Sequence, residues 1–184
     1  MSGLHSRIAR TIGCDGRYGT LETYLHRNLL WQASGPRLQK IEHEDYVPSW
    51  SWMAYDGGIR FQDERELLFG QVHWITNIRF ATDCKHALIA DLGKFRDCKT
   101  QLTGERCTVI DLSGTERGWI NYDIENGKDL LKEHCVVVGS TRDSEDYYIL
   151  VVRPTGVDSE YERVGMGQVS KNYLVRVQVD VRVV

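Results

Sequence analysis

Several side chains of this sequence could support nucleophilic catalysis if the fold brought them together. The possible nucleophiles and bases are Cys14, Cys135, Ser49, His26, His73 and His134. A catalytic nucleophile needs a base within hydrogen-bonding reach and a third group that orients the base. No Gly-x-Ser-x-Gly elbow surrounds any of them, and the adjacent His134 and Cys135 would face opposite sides of a strand. The sequence therefore predicts no catalytic centre.

Paired carboxylates are a second possible source of chemistry. Glu42 with Glu44, and Glu64 with Glu66, have a two-residue spacing that could serve a glycosidase or a hard metal ion. Solvated charge is the favoured interpretation, because both pairs lie in polar stretches. The sequence has no Cys-x-x-Cys pair, and no helix pattern follows the Gly165-Met166-Gly167 motif. We expect neither a metal ion nor another cofactor.

Charge and cysteine usage restrict the partners and the compartment. The 23 basic and 26 acidic side chains are interspersed, and the net charge is −3, so neither nucleic acid nor a membrane surface is an expected partner. No run of about 18 apolar residues is present, which argues against a transmembrane span. An odd set of 5 cysteines, without an Asn-x-Ser/Thr site, favours buried free thiols in an intracellular, cytoplasmic protein.

Helical periodicity is confined to the N-terminal part of the chain. Leu4, Ile8 and Ile12 repeat at helical spacing and stop at Gly13, which can adopt the left-handed conformation that ends a helix. Thr20 is a candidate N-cap for a second helical segment. We therefore divide a single domain, 1–184, into a helical entry over 1–28 and a β-rich body over 29–184.

The period changes to two beyond the helical entry. The residues from Leu68 to Phe80 alternate between apolar and polar, which predicts one long strand with a solvated face. The stretch from Tyr147 to Val152 is apolar throughout, as in a central strand. The C-terminal valines alternate from Tyr173 to Val181, and such a strand should pair within the domain or across a homodimer.

Turn residues complete the expected fold. Asp56-Gly57-Gly58 predicts a tight hairpin between strands near 49–55 and 58–61. Other short strands follow at intervals set by Gly-containing turns. The fold class is mainly β (α+β): an antiparallel open barrel or a curved two-layer sheet, with one or two short N-terminal helices.

Three motifs are the most distinctive features of the sequence. They are Leu29-Leu30-Trp31, Pro48-Ser49-Trp50-Ser51-Trp52 with the following Asp56-Gly57, and Tyr161-Glu162-Arg163-Val164-Gly165. In order and spacing they resemble motifs found downstream of the conserved domain in fungal heterokaryon-incompatibility (HET-domain) proteins. The resemblance covers roughly Ile8 to Val169. The TIR-like conserved domain that names the family has no counterpart in this sequence, so the activity of that domain is not implied here.

The resemblance identifies candidate signature or partner-surface residues. They are Trp31, Pro48, Ser49, Trp50, Ser51, Trp52, Asp56, Gly57, Arg163 and Gly165. On a strand, Trp50 and Trp52 would share one face and anchor a core, which we favour. The alternative is an aromatic platform for a ligand or peptide, with Asp56 at its turn.

The resemblance also implies a function. It favours a non-enzymatic regulatory or recognition module for self/non-self recognition or cell-death signalling, acting on a protein partner or on an upstream signalling domain. Such a module should expose an apolar or aromatic patch. The alternatives are a small-ligand-binding or hydrolytic β-barrel, which needs a cavity with convergent polar groups, and a structural remnant of unknown function.

Overall fold

The computed structural model describes residues 2–35, 38–62, 72–75, 77–103, 106–124, 130, 133–141 and 145–184. The helices are α1 (Ser2–Ile12) and α2 (Leu25–Leu29), with 3₁₀ turns at Glu22–Tyr24, Trp52–Ala54 and Lys171–Tyr173. The short strands are β1 (Gly16–Arg17), β2 (Thr20–Leu21), β3 (Trp31–Ala33), β4 (Gln39–Lys40), β5 (Tyr55–Asp56), β6 (Ile59–Phe61), β7 (Val72–Trp74) and β8 (Arg79–Phe80). The longer strands are β9 (Leu88–Phe95), β10 (Cys98–Thr103), β11 (Arg106–Asp111), β12 (Glu116–Tyr122), β13 (His134–Thr141), β14 (Asp146–Pro154), β15 (Glu160–Ser170) and β16 (Leu174–Val183).

The predicted mainly β class is confirmed as a large curved mixed sheet with two short helices. Its strands follow the order β10-β11-β12-β15-β14-β13-β9-β16, and β16 also pairs in parallel with β15. The parallel contact joins Glu160 to Arg182 and Tyr161 to Val183. It closes β15, β14, β13, β9 and β16 into a ring. The expected curved sheet is thus present, and its strands pair antiparallel except at the β15–β16 contact.

The central-strand prediction for 147–152 is confirmed. β14 pairs with β13 on one side and with β15 on the other. Its alternate residues enter two separate cores, because Leu150 and Val152 pack in one cluster while Ile149 and Val151 pack in the other. Burial on both faces explains why this stretch is continuously apolar.

The N-terminal helix is confirmed, whereas the cap of the second is not. α1 ends at Gly13, which has φ 67°. Thr20 lies in β2, and the next helical turn starts at Glu22 without a side-chain cap. Tyr18 and Gly19 both have positive φ and turn the chain between β1 and β2. Because Thr20 pairs with Arg17 in this small hairpin, it does not occupy the N-cap position of the next helical turn.

The long strand predicted between Leu68 and Phe80 is wrong where the structure describes it. β7 pairs with β13, whereas β8 pairs with β9. The predicted strand is interrupted near Asn77, because β7 and β8 pair with different strands. Val72, Ile78 and Phe80 are nevertheless buried, as expected. Residues 68–71 and 76 lie outside the described part of the chain.

The hairpin predicted at Asp56-Gly57-Gly58 is also wrong. β5 pairs with β4 before the turn, and β6 pairs with β3 after it. The positive φ expected at the turn is present at Gly57, at 127°. The two flanking segments separate because each finds its partner earlier in the chain.

The C-terminal strand pairs within the domain, as expected. β16 pairs with β9 through an irregular register between Arg176 and Asp180. This irregularity breaks the predicted single apolar face, so Val175 and Val179 are exposed while Val181 is buried. A homodimer through this strand stays a prediction. Among the described residues, no helix is both long and apolar enough to cross a membrane.

Candidate functional site

Arg163 and Asp123 form a buried ion pair at the centre of the molecule. Arg163 retains 2% and Asp123 1% of their accessible surface. Arg163 Nε lies 2.8 Å from Asp123 Oδ2, and Nη2 lies 3.1 Å from Oδ1. Burial raises the pKa of the Asp123 carboxyl, and the Arg163 guanidinium opposes this rise. We treat the pair as ionised, because a guanidinium stays protonated and holds both carboxylate oxygens.

The same guanidinium holds the N-terminal segment against the sheet. Arg163 Nη1 donates to the Leu29 carbonyl at 2.7 Å, and Nη2 donates to the Trp31 carbonyl at 2.6 Å. Its Cζ lies 3.4 Å from the centroid of the Trp31 ring. Arg163 thus joins α2 and β3 to β15 through charge-assisted hydrogen bonds and a cation–π contact.

A gap in strand pairing directs Arg163 to this position. One edge of β15 pairs with β16 at 160–161 and with β12 at 165–169, which leaves 162–164 without a strand beside it. The Arg163 N–H donates to Ser49 Oγ at 2.7 Å, and the Asp123 N–H donates to the Val164 carbonyl at 2.9 Å. A bulge opposite Val151 and Val152 displaces the register here. Bulges commonly re-aim a side chain in this way.

The Pro-Ser-Trp-Ser-Trp motif is a set of internal tethers. The Ser49 hydroxyl donates to the Val184 carbonyl, and the Ser51 hydroxyl donates to the Tyr18 carbonyl at 2.8 Å. Trp31 Nε1 donates to the Trp50 carbonyl at 3.0 Å. The indoles of Trp31 and Trp50 are both fully buried. The hydroxyls of Ser49 and Ser51 and the Trp50 carbonyl are therefore occupied in holding distant segments together.

The candidate signature residues differ in their surroundings. Trp31, Pro48, Ser49, Trp50, Ser51, Arg163 and Gly165 are buried, Trp52 is half-buried, and Asp56 and Gly57 are exposed. Trp50 and Trp52 do not share a strand face as predicted, because Trp50 lies in a turn and Trp52 begins a 3₁₀ turn. The aromatic platform is wrong for Trp31 and Trp50, which have no exposed surface.

Sequence reasoning missed Asp123. The one available signal was Arg163 beside the apolar residues that follow it in β15, because a buried arginine requires an anionic partner. Asp123 directly follows β12, the strand that pairs with β15. Sequence alone offers many acidic residues, and only the pairing of these strands selects this one.

An exposed aromatic group lies beside the buried tethers. Tyr18, His86 and Tyr46 form what we call the aromatic corner. The Tyr46 ring contacts His86 edge-on at 5.1 Å between centroids, and Tyr18 lies 5.5 Å from His86. Tyr46 retains 55% of its accessible surface. The corner is thus an aromatic surface that is open to solvent, and sequence reasoning did not identify it.

Contacts with the buried Trp50 hold the aromatic corner in place. Trp50 Nε1 donates to the His86 carbonyl at 2.9 Å, and the Tyr18 ring contacts Trp50 edge-on at 5.9 Å. Tyr18 has φ 47°, an uncommon conformation for a bulky residue. Burial and the nearby Asp45 raise the pKa of Tyr18. The Tyr18 hydroxyl and His86 Nδ1 are hydrogen-bonded at 2.6 Å.

Carboxylates lie on two sides of the aromatic corner. Glu42, Glu44 and Asp45 are exposed in the stretch that leads to Tyr46, and we call this stretch, 41–46, the acidic strip. Glu160 and Glu162, at the start of β15, raise the pKa of Tyr46 after the larger effect of burial. Ser49, bonded to the Arg163 N–H, keeps the end of the strip beside β15.

The candidate nucleophiles do not assemble into a catalytic group where the structure describes them. Burial raises the pKa of Cys135 to about 12, which disfavours a thiolate. Burial lowers the pKa of the neighbouring His134. All five cysteines are free, but only Cys107 and Cys135 are buried. Across the described ranges, no three His, Cys, Asp or Glu side chains are grouped to hold a metal ion.

A shallow depression lies at the opposite end of β15. Its walls are Glu116, Arg117, Gly118, Trp119, Asp146, Gln168 and Ser170. Gln168 Nε2 donates to Asp146 Oδ2 at 3.0 Å. The depression is open, and its Gln168 and Asp146 side chains bond to each other, so it is a weaker candidate than the aromatic corner.

No protein-family model, curated protein or solved structure matches this chain. The resemblance to heterokaryon-incompatibility proteins therefore stays a prediction. The geometry of the aromatic corner and its buried support is the basis on which function is inferred.

Proposed function

We propose that this chain is a non-enzymatic recognition or regulatory module that binds a protein partner through the aromatic corner. The observation that carries the proposal is the solvent-exposed Tyr46 ring against His86, fixed from below by Trp50. Tyrosine is enriched among the residues that dominate binding energy at protein interfaces. A surface held in place before binding loses little conformational entropy when the partner docks.

The resemblance supplies the biological setting of the proposal. In a fungal heterokaryon-incompatibility protein, a module of this kind would take part in self/non-self recognition or cell-death signalling inside the cell. The partner would be the conserved signalling domain that precedes it in that family, or another protein that regulates this domain. The buried tethers would then keep the recognition surface in one conformation.

Binding to an isolated conserved domain of a fungal heterokaryon-incompatibility protein tests the proposal. Isothermal titration calorimetry should detect a complex with the full chain. We expect Tyr46→Ala and His86→Ala each to weaken it by at least about tenfold, because both remove aromatic contact area from the corner. Tyr24→Ala is the matched control, since Tyr24 is exposed in a 3₁₀ turn outside the corner.

The thermal midpoint of each variant must be measured beside its affinity. Binding that is lost in Tyr46→Ala at an unchanged midpoint supports the proposal. A complex that forms equally well with Tyr46→Ala and His86→Ala, or weakens only with Tyr24→Ala, contradicts it.

A further inference from the structure

The charges around the aromatic corner have one predominant sign. Glu42, Glu44 and Asp45 are exposed on the acidic strip, and Glu160 and Glu162 are half-buried at the start of β15. The exposed cations nearest in sequence are Lys40, at the beginning of the strip, and Lys85, next to His86. Arg17 is already paired with Asp15, with 2.9 Å between Nε and Oδ2. Arg182, which lies opposite Glu160 on β16, is already paired with Asp83. The carboxylates of the strip and of β15 therefore outnumber the two exposed lysines, Lys40 and Lys85.

The exposed ring of Tyr46 adds a second kind of attraction for a cation. Aromatic faces attract ammonium and guanidinium groups, most strongly where carboxylates also surround them. Five cation–π contacts among the described residues show this preference, and two of them are on tyrosine: Arg117 over Tyr173 and Lys171 over Tyr147. The aromatic corner combines an accessible ring with carboxylates that approach from two elements.

The spacing of the carboxylates favours a segment over a single ion. They are divided between the acidic strip and β15, and no three acidic, His or Cys side chains of the described residues group as a metal site does. A polypeptide with several basic side chains can pair with carboxylates on both elements, and the exposed Ile41 would receive one of its apolar side chains.

We propose that the acidic strip and the aromatic corner together bind a lysine- and arginine-bearing segment of the partner protein. This inference rests on the proposed function and adds the chemistry of the partner. A basic side chain lies over the Tyr46 ring, and neighbouring basic side chains pair with the carboxylates of the strip and of β15. Electrostatic attraction across such a surface accelerates encounter and selects against acidic partners.

Fluorescence anisotropy with a labelled peptide of alternating basic and apolar residues tests the inference. The peptide should bind the full chain, and affinity should fall at least about tenfold when salt rises from about 0.05 M to about 0.5 M. The triple variant Glu42→Gln, Glu44→Gln, Asp45→Asn should also weaken binding by about tenfold. Tyr46→Ala should weaken it independently, through the lost ring.

A variant with the same change of net charge is the control. Asp97→Asn, Glu116→Gln and Glu145→Gln alter exposed carboxylates on other turns and strands of the sheet. This control should retain the affinity of the unaltered chain. Equal weakening of both triple variants, or undiminished binding by the strip variant, overturns the inference because binding would follow net charge or another surface.

The two proposals fail in distinguishable ways. If the conserved domain binds through Tyr46 but the basic peptide does not bind, the partner chemistry is wrong and the recognition function stands. If the peptide binds as expected and the conserved domain does not, the basic-segment inference is supported and that domain is not the partner. If neither binds, both proposals are wrong.

Discussion

At the residue scale, Arg163 is the side chain that joins the N-terminal segment to the sheet. Its guanidinium donates four hydrogen bonds, to Asp123, Leu29 and Trp31. A buried ion pair gains little over well-packed apolar residues, but removal of one partner leaves an uncompensated charge in the interior. The pair therefore contributes more to selecting this arrangement of the segments than to the free energy of folding.

Substitution of either Arg163 or Asp123 should strongly destabilise the fold. We expect Arg163→Met and Asp123→Asn each to lower the free energy of unfolding by about 3–5 kcal/mol, measured by urea denaturation. Arg163→Lys should also destabilise, because an ammonium cannot reproduce the planar fork that reaches two carbonyls and a carboxylate. The exposed pair of Arg79 and Asp180, at 3.2 Å, is the control.

Arg79→Met should change the free energy of unfolding by less than about 1 kcal/mol, as exposed pairs do. A similar loss in Arg79→Met and Arg163→Met would show that the buried pair has no special role. The double variant Arg163→Met, Asp123→Asn should be less destabilised than the two single losses added together.

At the element scale, β15 organises the sheet. It pairs with β14 along its length, and its other edge is shared by β16 and β12. The approach of β12 depends on glycine, because a Cβ added at Gly165 would lie 2.5 Å from the Asn121 carbonyl oxygen. The small residue in this motif is thus explained by the close approach of a backbone, as strand glycines often are.

We expect Gly165→Ala to push β12 away from β15 and to lower the free energy of unfolding by about 1–3 kcal/mol. Gly35→Ala is the matched control, since an added Cβ there meets no atom within 4 Å and Gly35 lies at a bend. Chemical denaturation of both variants measures the difference. Equal stability of Gly165→Ala and the unaltered chain would show that β12 accommodates the methyl group without cost.

At the scale of the whole molecule, the N-terminal segments and the sheet share their cores. Leu25, Leu29 and Trp50 pack in the same cluster as Leu150 and Val183, from the two ends of the sequence. The Ser49 hydroxyl also bonds the Val184 carbonyl. Segments joined in this way lose their support together when one of them unfolds.

The described regions should therefore unfold in one cooperative transition. Tryptophan fluorescence reports on Trp31, Trp50 and Trp52 in the N-terminal segments together with Trp74 and Trp119 in the sheet, and far-UV circular dichroism reports on the strands. The two urea midpoints should coincide, as in a two-state transition. An earlier fluorescence midpoint would show that the N-terminal segments unfold alone and that the single-domain interpretation is wrong.

Local patterns were sufficient for the class of fold and for several elements. The sequence by itself determined that the chain is mainly β, that a helix ends at Gly13, and that the stretch around Ile149 and Leu150 is a central strand. Periodicity reports which faces of an element are buried, and glycine reports where φ becomes positive. Both properties belong to neighbouring residues, so sequence carries them directly.

Tertiary structure decided which segments meet. It divided the stretch around Asn77 between two partner strands, closed the ring through β16, and selected Asp123 as the partner of Arg163, 40 residues away. It also assembled Tyr18, Tyr46 and His86 into one exposed corner. Many acidic and aromatic residues have suitable chemistry, and only the packing of distant segments determines which of them come within contact distance.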